Sequence, residues 1–375
     1  MLPKKLLFIL GTRPEAIKMA PIILELKKIP NRYDVHVCIT AQHRQMLDQV
    51  LEFFKIIPNS DLNVMKQNQS LFELTASCLL KLEEIINDFN PELIFVQGDT
   101  TTAFVGALAA YYKNIKIAHI EAGLRSFNKY SPFPEEGNRA LISPITDFHF
   151  APSQKAKENL INSGITGEKV FIVGNPVIDS LFLGLEIIKE ESENKFIQYF
   201  NFLDLNKKII LVTGHRRESF GLPFEEFCNS INEIALKWPD VQIVYPVHLN
   251  PNVQKPVYQI LKDISNVHLI KPLDYPHLIW LLSKCYLVLT DSGGIQEEAP
   301  SLGKPVLVTR EVTERTEGID ARTAILVGTN KYNIVTHVNY LLRDQDAYDA
   351  MSIAVNPYGD GNSSKYIIEI LNKIL

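Results

Sequence analysis

The chain has 375 residues, of which 46% are apolar and 22% are charged, and its formal net charge is −5. Because this length exceeds what one hydrophobic core usually serves, we expect two domains with a cleft between them. No segment approaches the ~20 consecutive apolar residues of a membrane span, and a negative net charge argues against a nucleic-acid groove. We therefore expect neither a membrane nor a nucleic acid among its partners.

The cysteines and the N-terminal segment bear on the compartment and on metals. The four cysteines are Cys38, Cys78, Cys228 and Cys285. They stand far apart and show no C-x-x-C or His-Cys spacing, so we predict neither a disulfide framework nor a zinc site. Only about five apolar residues precede Gly11, which is too few for the apolar core of a signal peptide. We expect a cytoplasmic protein without a metal.

Short apolar runs alternate with longer helical patterns along the first half of the chain. The runs are Leu6–Leu10, Val35–Thr40, Leu93–Gln97, Ile115–Ile120, Asp147–Ala151 and Val170–Val173. This alternation is typical of β-α-β units around a parallel sheet that is buried on both faces.

A second set of apolar runs follows the first. Its members are Ile209–Thr213, Val241–Pro246, Val267–Ile270, Leu287–Thr290, Val306–Thr309 and Ala324–Val327. Gly174-Asn175-Pro176 and a polar stretch from Lys189 to Lys195 separate the two sets, which places a boundary near residue 175. The predicted fold class is α/β, with two doubly wound Rossmann-like domains whose parallel sheets face a central cleft.

The residues that directly follow the runs are the candidates for chemistry, because doubly wound sheets bind ligands beyond the carboxyl ends of their strands. The first run ends in Gly11-Thr12-Arg13-Pro14-Glu15, and Lys18 follows. Backbone N–H groups at this helix start could meet an anion. The alternative is a plain strand-to-helix turn in which Arg13 and Lys18 are solvated.

Two acidic positions share this kind of location, and a third acidic pair stands at a helix start. Asp99 follows the third run, Glu121 follows the fourth, and Glu135-Glu136 ends a proline-rich approach to a helix. Each alone is explained by helix capping or by the helix dipole. If they converge on one cleft, they can change one another's proton affinity, as acid/base chemistry requires.

The second half carries cationic and glycine-rich post-strand segments. His215-Arg216-Arg217 is suited to phosphate, although a lone histidine is more often structural. Asp291-Ser292-Gly293-Gly294 opens a helix whose N–H groups could close on a diphosphate, and Glu298 one turn later could accept ribose hydroxyls. The segment fits neither G-x-x-x-x-G-K-[ST] nor G-x-G-x-x-G, which argues against an ATPase and an NAD-dependent dehydrogenase.

Taken together, the segments resemble the non-hydrolysing UDP-N-acetylglucosamine 2-epimerases, whose two-Rossmann-domain architecture is called GT-B. The resemblance covers essentially the whole chain and is specific through the order and spacing of its motifs. They are GTRPEAIKMAP (11–21), TAQHRQML (40–47), GDTTT (98–102), HIEAGLR (119–125), YSPFPEEGNR (130–139), GHRRES (214–219), YPVHLNP (245–251), DSGGIQEEAPSLGKPVL (291–307) and NPYGDG (356–361).

The resemblance implies a role for individual residues. The catalytic candidates are Asp99, Glu121, Glu135 and His215. The candidates for holding the nucleotide sugar are Arg13, Lys18, Arg139, Ser292, Gly293, Gly294, Glu298 and Arg315. One departure concerns Thr316, which stands where proline commonly follows the arginine, so the orientation of Arg315 is open.

The resemblance also implies a reaction. UDP is eliminated across C1 and C2 of a UDP-N-acetylhexosamine to give 2-acetamidoglucal, and it adds back after the proton returns on the other face of C2. No cofactor and no metal are expected, and the expected assembly is a homodimer. Which carboxylate serves which face stays open, and one of them can instead stabilise oxocarbenium character.

The expected domains follow from the same resemblance. Residues 1–174 form a domain with the catalytic carboxylates, and residues 175–356 form a UDP-binding domain. Residues 357–375 form a helix that crosses back to the first domain.

Bacterial relatives of this kind can bind a second UDP-N-acetylglucosamine as an activator. The matching positions are Gln42, Gln45, Arg216 and His248. Asn68 stands where activated enzymes have an arginine, and asparagine cannot grip phosphate bidentately. We expect activation in a weakened form.

Three competing functions remain open at this point. A hydrolysing relative would release free N-acetylmannosamine and UDP. A GT-B glycosyltransferase would need an acceptor site, and it seldom needs three carboxylates in its first domain. A nucleotide-sugar sensor would bind without turnover and would have no use for Asp99, Glu121 and Glu135 together.

Overall fold

The computed structural model divides the chain into two compact units. It describes residues 2–40, 44–65, 69–191 and 193–375. Unit 1 is Met1–Leu183 with Tyr358–Leu375, and unit 2 is Gly184–Pro357. The predictions for Gln42 and Asn68 lie outside the described residues. As domain limits, 1–174, 175–356 and 357–375 stay predictions.

Thirteen strands occur in the described residues. They are β1 (Lys4–Leu10), β2 (Tyr33–Ile39), β3 (Ser60–Asp61), β4 (Leu93–Gln97), β5 (Lys116–Ile120), β6 (Phe148–Ala151), β7 (Val170–Ile172), β8 (Ile209–Thr213), β9 (Gln242–Pro246), β10 (Val267–Ile270), β11 (Leu287–Thr290), β12 (Val306–Val308) and β13 (Ala324–Leu326).

The α-helices of the described residues mostly alternate with the strands. They are α1 (Arg13–Lys27), α2 (Arg44–Phe53), α3 (Leu71–Phe89), α4 (Thr101–Tyr112), α5 (Glu135–Ile145), α6 (Gln154–Asn162), α7 (Pro176–Glu191), α8 (Asn194–Tyr199), α9 (Leu222–Lys237), α10 (Pro251–Leu261), α11 (Tyr275–Lys284), α12 (Gly293–Ser301), α13 (Thr316–Asp320), α14 (Lys331–Arg343), α15 (Gln345–Ser352) and α16 (Ser363–Ile374). The exceptions are that α7 and α8 are consecutive and that α14, α15 and α16 all follow the last strand.

Each unit is built on one parallel sheet. The order is β3-β2-β1-β4-β5-β6-β7 in unit 1 and β10-β9-β8-β11-β12-β13 in unit 2. In both sheets the order reverses beside the first strand of the unit, so each is doubly wound. The predicted fold class of two doubly wound α/β domains is therefore confirmed, as are the twelve predicted strands.

The central strands are buried on both faces, which explains why they read as continuous apolar runs. Leu6 to Leu10 in β1 are each 0% exposed, and the Phe8 ring stacks on that of Phe95 with centroids 4.3 Å apart. The edge strand β3 was not predicted, because two residues carry no periodic pattern.

The C-terminal helix α16 packs within unit 1. The Asp179 carboxylate accepts hydrogen bonds from the amides of Ser363 (3.1 Å) and Ser364 (2.8 Å) at the start of the helix. Near its end, Tyr33 Oη donates to Asn372 Oδ1 over 2.7 Å. In the described parts of the chain, no helix combines the length and apolar character that crossing a bilayer requires.

A buried carboxylate holds together two loops at the carboxyl edge of the unit 1 sheet. Glu15 Oε2 accepts hydrogen bonds from the amides of Gly11 (2.8 Å) and Thr12 (2.6 Å), and Oε1 accepts one from Thr100 Oγ1 (2.6 Å). Space is tight here, because a Cβ on Gly11 would lie 2.2 Å from Thr102 Oγ1. Burial raises the pKa of Glu15 to about 7, although these three hydrogen bonds oppose the shift.

This raised pKa predicts a pH-dependent stability. The folded chain holds the Glu15 proton more tightly than the unfolded chain, so its stabilising contribution is complete below pH about 4.5 and is lost as the pH rises through about 7. Glu15→Gln stays neutral throughout. We expect the unfolding free energy of the wild type to fall relative to this variant by up to about 3 kcal/mol across that window.

Urea unfolding at several pH values measures this change, and Glu84→Gln, at an exposed position of α3, is the matched control. A stability gap between wild type and Glu15→Gln that does not vary with pH would contradict the prediction.

Candidate active site

Glu121 is the best-connected carboxylate at the carboxyl edge of the unit 1 sheet. Its Oε1 accepts hydrogen bonds from Lys18 Nζ (2.6 Å) and Asn175 Nδ2 (2.9 Å), and its Oε2 accepts one from Gln97 Nε2. Only 7% of the residue is exposed, and its backbone is left-handed with φ of 62°. A non-glycine residue keeps this conformation only where its surroundings hold it, as at binding and catalytic sites.

Asp99 and Arg139 form a second cluster at the same edge. Arg139 Nη2 pairs with Asp99 Oδ2, and Arg139 Nη1 lies 3.1 Å from Glu136 Oε2. Asn138 Nδ2 donates to the backbone carbonyl of Asp99 over 2.8 Å. The structure therefore brings the predicted residues Asp99 and Arg139 together, with Glu136 as a third partner.

Glu135 differs from both of these carboxylates. It opens α5, and its Oε2 is buried without a hydrogen-bond partner among the described residues. A buried oxygen that lacks a donor is costly unless a ligand or water supplies one. Of the three predicted carboxylates, Glu135 thus has an oxygen that is open to a further hydrogen bond.

The loop after β1 does not have the role that the sequence suggested. Its amides at Gly11 and Thr12 donate to Glu15, so the prediction that they meet an external anion is wrong. The chain's own carboxylate takes that place. Arg13 begins α1 and is partly exposed, whereas Lys18 lies one turn further on against Glu121.

His119 holds the loop that carries Asp99 through a hydrogen bond to the backbone of Gly98. The ring is fully buried, and burial lowers its pKa to about 4, so it is neutral at pH 7. Its Nε2 lies 2.7 Å from the carbonyl oxygen of Gly98, which makes Nε2–H the donor. This bond fixes the turn that carries Asp99.

In unit 2, Asp291 organises the loop with His215. Its Oδ2 accepts hydrogen bonds from the amides of His215 (2.6 Å) and Arg216 (2.7 Å), and its Oδ1 lies 3.3 Å from His215 Nδ1. Burial opposes ionisation of Asp291, but these contacts outweigh it and lower the pKa. A carboxylate beside Nδ1 favours the tautomer in which Nε2 is the free basic atom.

The remaining candidates of the second-site prediction lie in both units. The His248 ring stacks on that of His215, with centroids 5.2 Å apart, and burial together with His215 lowers the His248 pKa. Arg216 is partly exposed beside them, and Gln45 is exposed on α2 of unit 1.

Helix α12 begins with the predicted diphosphate loop. Ser292 is its N-cap residue, and a Cβ on Gly293 would lie 3.0 Å from Arg315 Cζ, so the glycine lets the guanidinium lie against the helix start. Gly294 follows as the second helical residue. Glu298 is 5% exposed and accepts a hydrogen bond from Tyr275 Oη over 3.2 Å.

Arg315 is held by two carboxylates despite the departure at Thr316. Its Nε donates to Glu297 Oε1 (2.9 Å), and its Nη1 donates to Glu314 Oε1 (2.5 Å). Burial acts against ionisation of Glu314, but Arg315 and Arg310 bring its pKa down to about 2. These two carboxylates fix the orientation of Arg315 although no proline follows it. Thr316, which stands in place of the proline, is the first residue of α13.

Sequence reasoning missed the supporting residues of both clusters. They are Gln97, His119, Glu136, Asn175, Asp291, Glu297 and Glu314. Two of them carried a signal, because Asp291 directly follows a strand and Glu136 belongs to the acidic pair at a helix start. Across the described ranges, no three His, Cys, Asp or Glu side chains converge as they would around a metal ion. The expected lack of a cofactor stays a prediction.

Comparison with known proteins identifies the family. Residues 25–372 match the family model described as UDP-N-acetylglucosamine 2-epimerase. The enzyme of that name from Campylobacter jejuni is 53% identical over 377 residues, which is 99% of this chain and 98% of that protein. The one from Escherichia coli K12 is 50% identical over 369 residues, or 98% of both chains.

A solved structure agrees with this comparison. The crystal structure of UDP-GlcNAc 2-epimerase from Neisseria meningitidis, bound to UDP-GlcNAc, superposes with a TM-score of 0.92 at 50% identity, covering 98% of this chain and 100% of that chain. The resemblance seen in the sequence motifs is confirmed. The chain belongs to the UDP-N-acetylglucosamine 2-epimerase family.

Proposed function

We propose that this enzyme interconverts UDP-N-acetylglucosamine and UDP-N-acetylmannosamine by eliminating UDP and adding it back to 2-acetamidoglucal, without releasing the sugar to water. UDP-N-acetylglucosamine 2-epimerase activity follows from family membership. The observation that carries the mechanism is that three unit 1 carboxylates differ in their partners: Glu121 and Asp99 are paired with cations, whereas Glu135 Oε2 has no hydrogen-bond partner among the described residues.

The partners suggest a division of labour among the carboxylates. Removal of the weakly acidic C2 hydrogen needs a carboxylate with a free oxygen, which Glu135 has. Asp99, in its pair with Arg139, is the proposed proton-handling group for the other face. Glu121 already accepts three hydrogen bonds, so it suits electrostatic stabilisation of a cationic C1 better than proton transfer.

We assign recognition of UDP to unit 2. The first amides of a helix have no acceptor within the helix and form the positive end of its dipole, so the start of α12 can stabilise a diphosphate. Glu298 is the proposed acceptor for ribose hydroxyls. His215, oriented by Asp291, can donate to the departing phosphate oxygen through Nε2 when it is protonated.

The first prediction tests substrate, reaction and mechanism together. Purified enzyme with either UDP-N-acetylhexosamine in deuterated water should give the other epimer with deuterium at C2, with no added nucleotide cofactor or metal. Mass spectrometry and proton NMR follow the exchange. Retention of the C2 hydrogen would contradict the elimination route.

The same assay separates the competing functions. Free N-acetylmannosamine and UDP as the main products would identify a hydrolysing enzyme. Transfer of the sugar to an added acceptor would identify a glycosyltransferase, and tight binding without turnover would identify a sensor.

The second prediction concerns Asp99→Asn and Glu135→Gln. Each should lower kcat by about 10²- to 10⁴-fold, because each removes a proton-transfer group, while the UDP dissociation constant changes little. Steady-state kinetics and calorimetric titration with UDP measure the two quantities. Asp88→Asn, an exposed carboxylate on α3, is the matched control. Equal losses of kcat and UDP affinity would make these residues binding groups.

We propose a second UDP-N-acetylglucosamine as a weak activator. The stacking of His248 on His215 supports this, because it puts one proposed activator contact beside one proposed catalytic group. Activation by such a ligand requires that it binds the active state more tightly than the inactive one.

The third prediction tests this activator. Turnover of pure UDP-N-acetylmannosamine should begin with a lag that a trace of UDP-N-acetylglucosamine shortens, and Asn68→Arg should strengthen the response. Progress curves with and without the trace measure it. Immediate full-rate turnover in both proteins would show that no activator is needed.

We also propose a cytoplasmic homodimer. The four cysteines are buried free thiols, as expected in a reducing compartment. Helices α3, α4 and α5 pack side by side and expose large apolar side chains, which a second copy would cover. These side chains are Phe72, Leu80, Tyr111, Tyr112 and Leu141.

A further inference from the structure

Glu136 is a buried carboxylate for which the proposed reaction has no direct use. It is 4% exposed and lies in the first turn of α5, next to Glu135. A glutamate there is ordinarily a partner of the helix dipole or of the helix's own N–H groups. The Glu136 carboxylate instead contacts the loop that contains Ser126 and Phe127, and it contacts Arg139.

The Glu136 carboxylate accepts three hydrogen bonds in these contacts. Oε2 accepts from the amide of Ser126 (3.0 Å) and from Arg139 Nη1 (3.1 Å), and Oε1 accepts from the amide of Phe127 (3.2 Å). Phe127 is left-handed, with φ of 60°, so this carboxylate also holds a strained turn. Glu136 thereby joins the segment after β5 to α5.

Arg139 links Glu136 to Asp99, so the position of the guanidinium affects the orientation of the Asp99 carboxylate. Its side chain is 11% exposed, and the same guanidinium contacts Glu136 through Nη1 and Asp99 through Nη2. A planar guanidinium between two carboxylates has few alternative orientations. If one carboxylate is removed, the guanidinium can rotate, and the Asp99 carboxylate that it holds can rotate with it.

We propose that Glu136 is a positioning residue for the epimerisation, which holds Arg139 so that Arg139 keeps the Asp99 carboxylate aimed at the reacting C2. This rests on the proposed function. The effect passes through Asp99, so it acts on turnover and not on the UDP contacts of unit 2.

The test is a double-mutant cycle of Glu136→Gln with Asp99→Asn. Glutamine keeps one acceptor oxygen, which serves one of the two loop amides, and removes the charge that holds Arg139. In the wild-type background, kcat should fall about 10- to 100-fold, while KM and the UDP dissociation constant change less than about threefold. In the Asp99→Asn background, single-turnover rates should show no further loss, because the residue that Glu136 positions is already disabled.

The matched control is Asp179→Asn. Asp179 is also a buried carboxylate of unit 1 that accepts hydrogen bonds from two backbone amides, those of Ser363 and Ser364. These contacts belong to the start of α16 and do not involve Arg139. It should lose melting temperature without the selective loss of kcat. Glu136→Asp, which keeps the charge on a shorter side chain, takes the place of Glu136→Gln if that variant does not fold.

Two results would overturn the proposal. One is unchanged kcat in a folded Glu136 variant, and the other is an equal loss of rate in both backgrounds, which would show that Glu136 acts through the Ser126 loop or through stability. Turnover of the wild type in the same assay reports on the proposed function separately. The ratio of variant to wild type reports on Glu136 alone.

Discussion

The ion pair between Lys18 and Glu121 is the contact on which the geometry of the unit 1 site depends. It joins the first helix to the end of β5, and Gln97 and Asn175 attach the same carboxylate to the end of β4 and the start of α7. A buried carboxylate is tolerated only when donors surround it, so these four segments must meet at this point. The left-handed backbone at Glu121 is maintained by the same set of bonds.

In unit 2, Asp291 has a role similar to that of Glu121, because it is a buried carboxylate that several donors surround. The carboxylate fixes two successive amides and stands beside the imidazole of His215, so one side chain sets both the path of the loop and the orientation of the ring. Both units therefore use a carboxylate directly after a strand as the organiser of a post-strand loop. This placement follows from the fold, because parallel strands end together at one edge and leave their next residues side by side.

The sequence allowed the sheets to be predicted almost completely, because doubly buried strands such as β1 read as unbroken apolar runs. The site was harder to predict. The sequence motifs identify Lys18 and Glu121 as candidates. Asn175 lies 54 positions from Glu121, and its sequence context, Gly174-Asn175-Pro176, predicts only a turn at a domain boundary. Which donors meet a carboxylate is set by tertiary structure. The anion site at Gly11 failed for a local reason, since Glu15 at the third helical position reaches back to the same amides.

Three of the predicted site cations are paired with carboxylates. Lys18 contacts Glu121, Arg139 lies between Asp99 and Glu136, and Arg315 lies between Glu297 and Glu314. Each pairing balances a buried or half-buried charge and fixes the orientation of the cationic side chain. At the start of α12 the guanidinium of Arg315 lies against Gly293, so a fixed cation stands beside the positive end of the helix dipole.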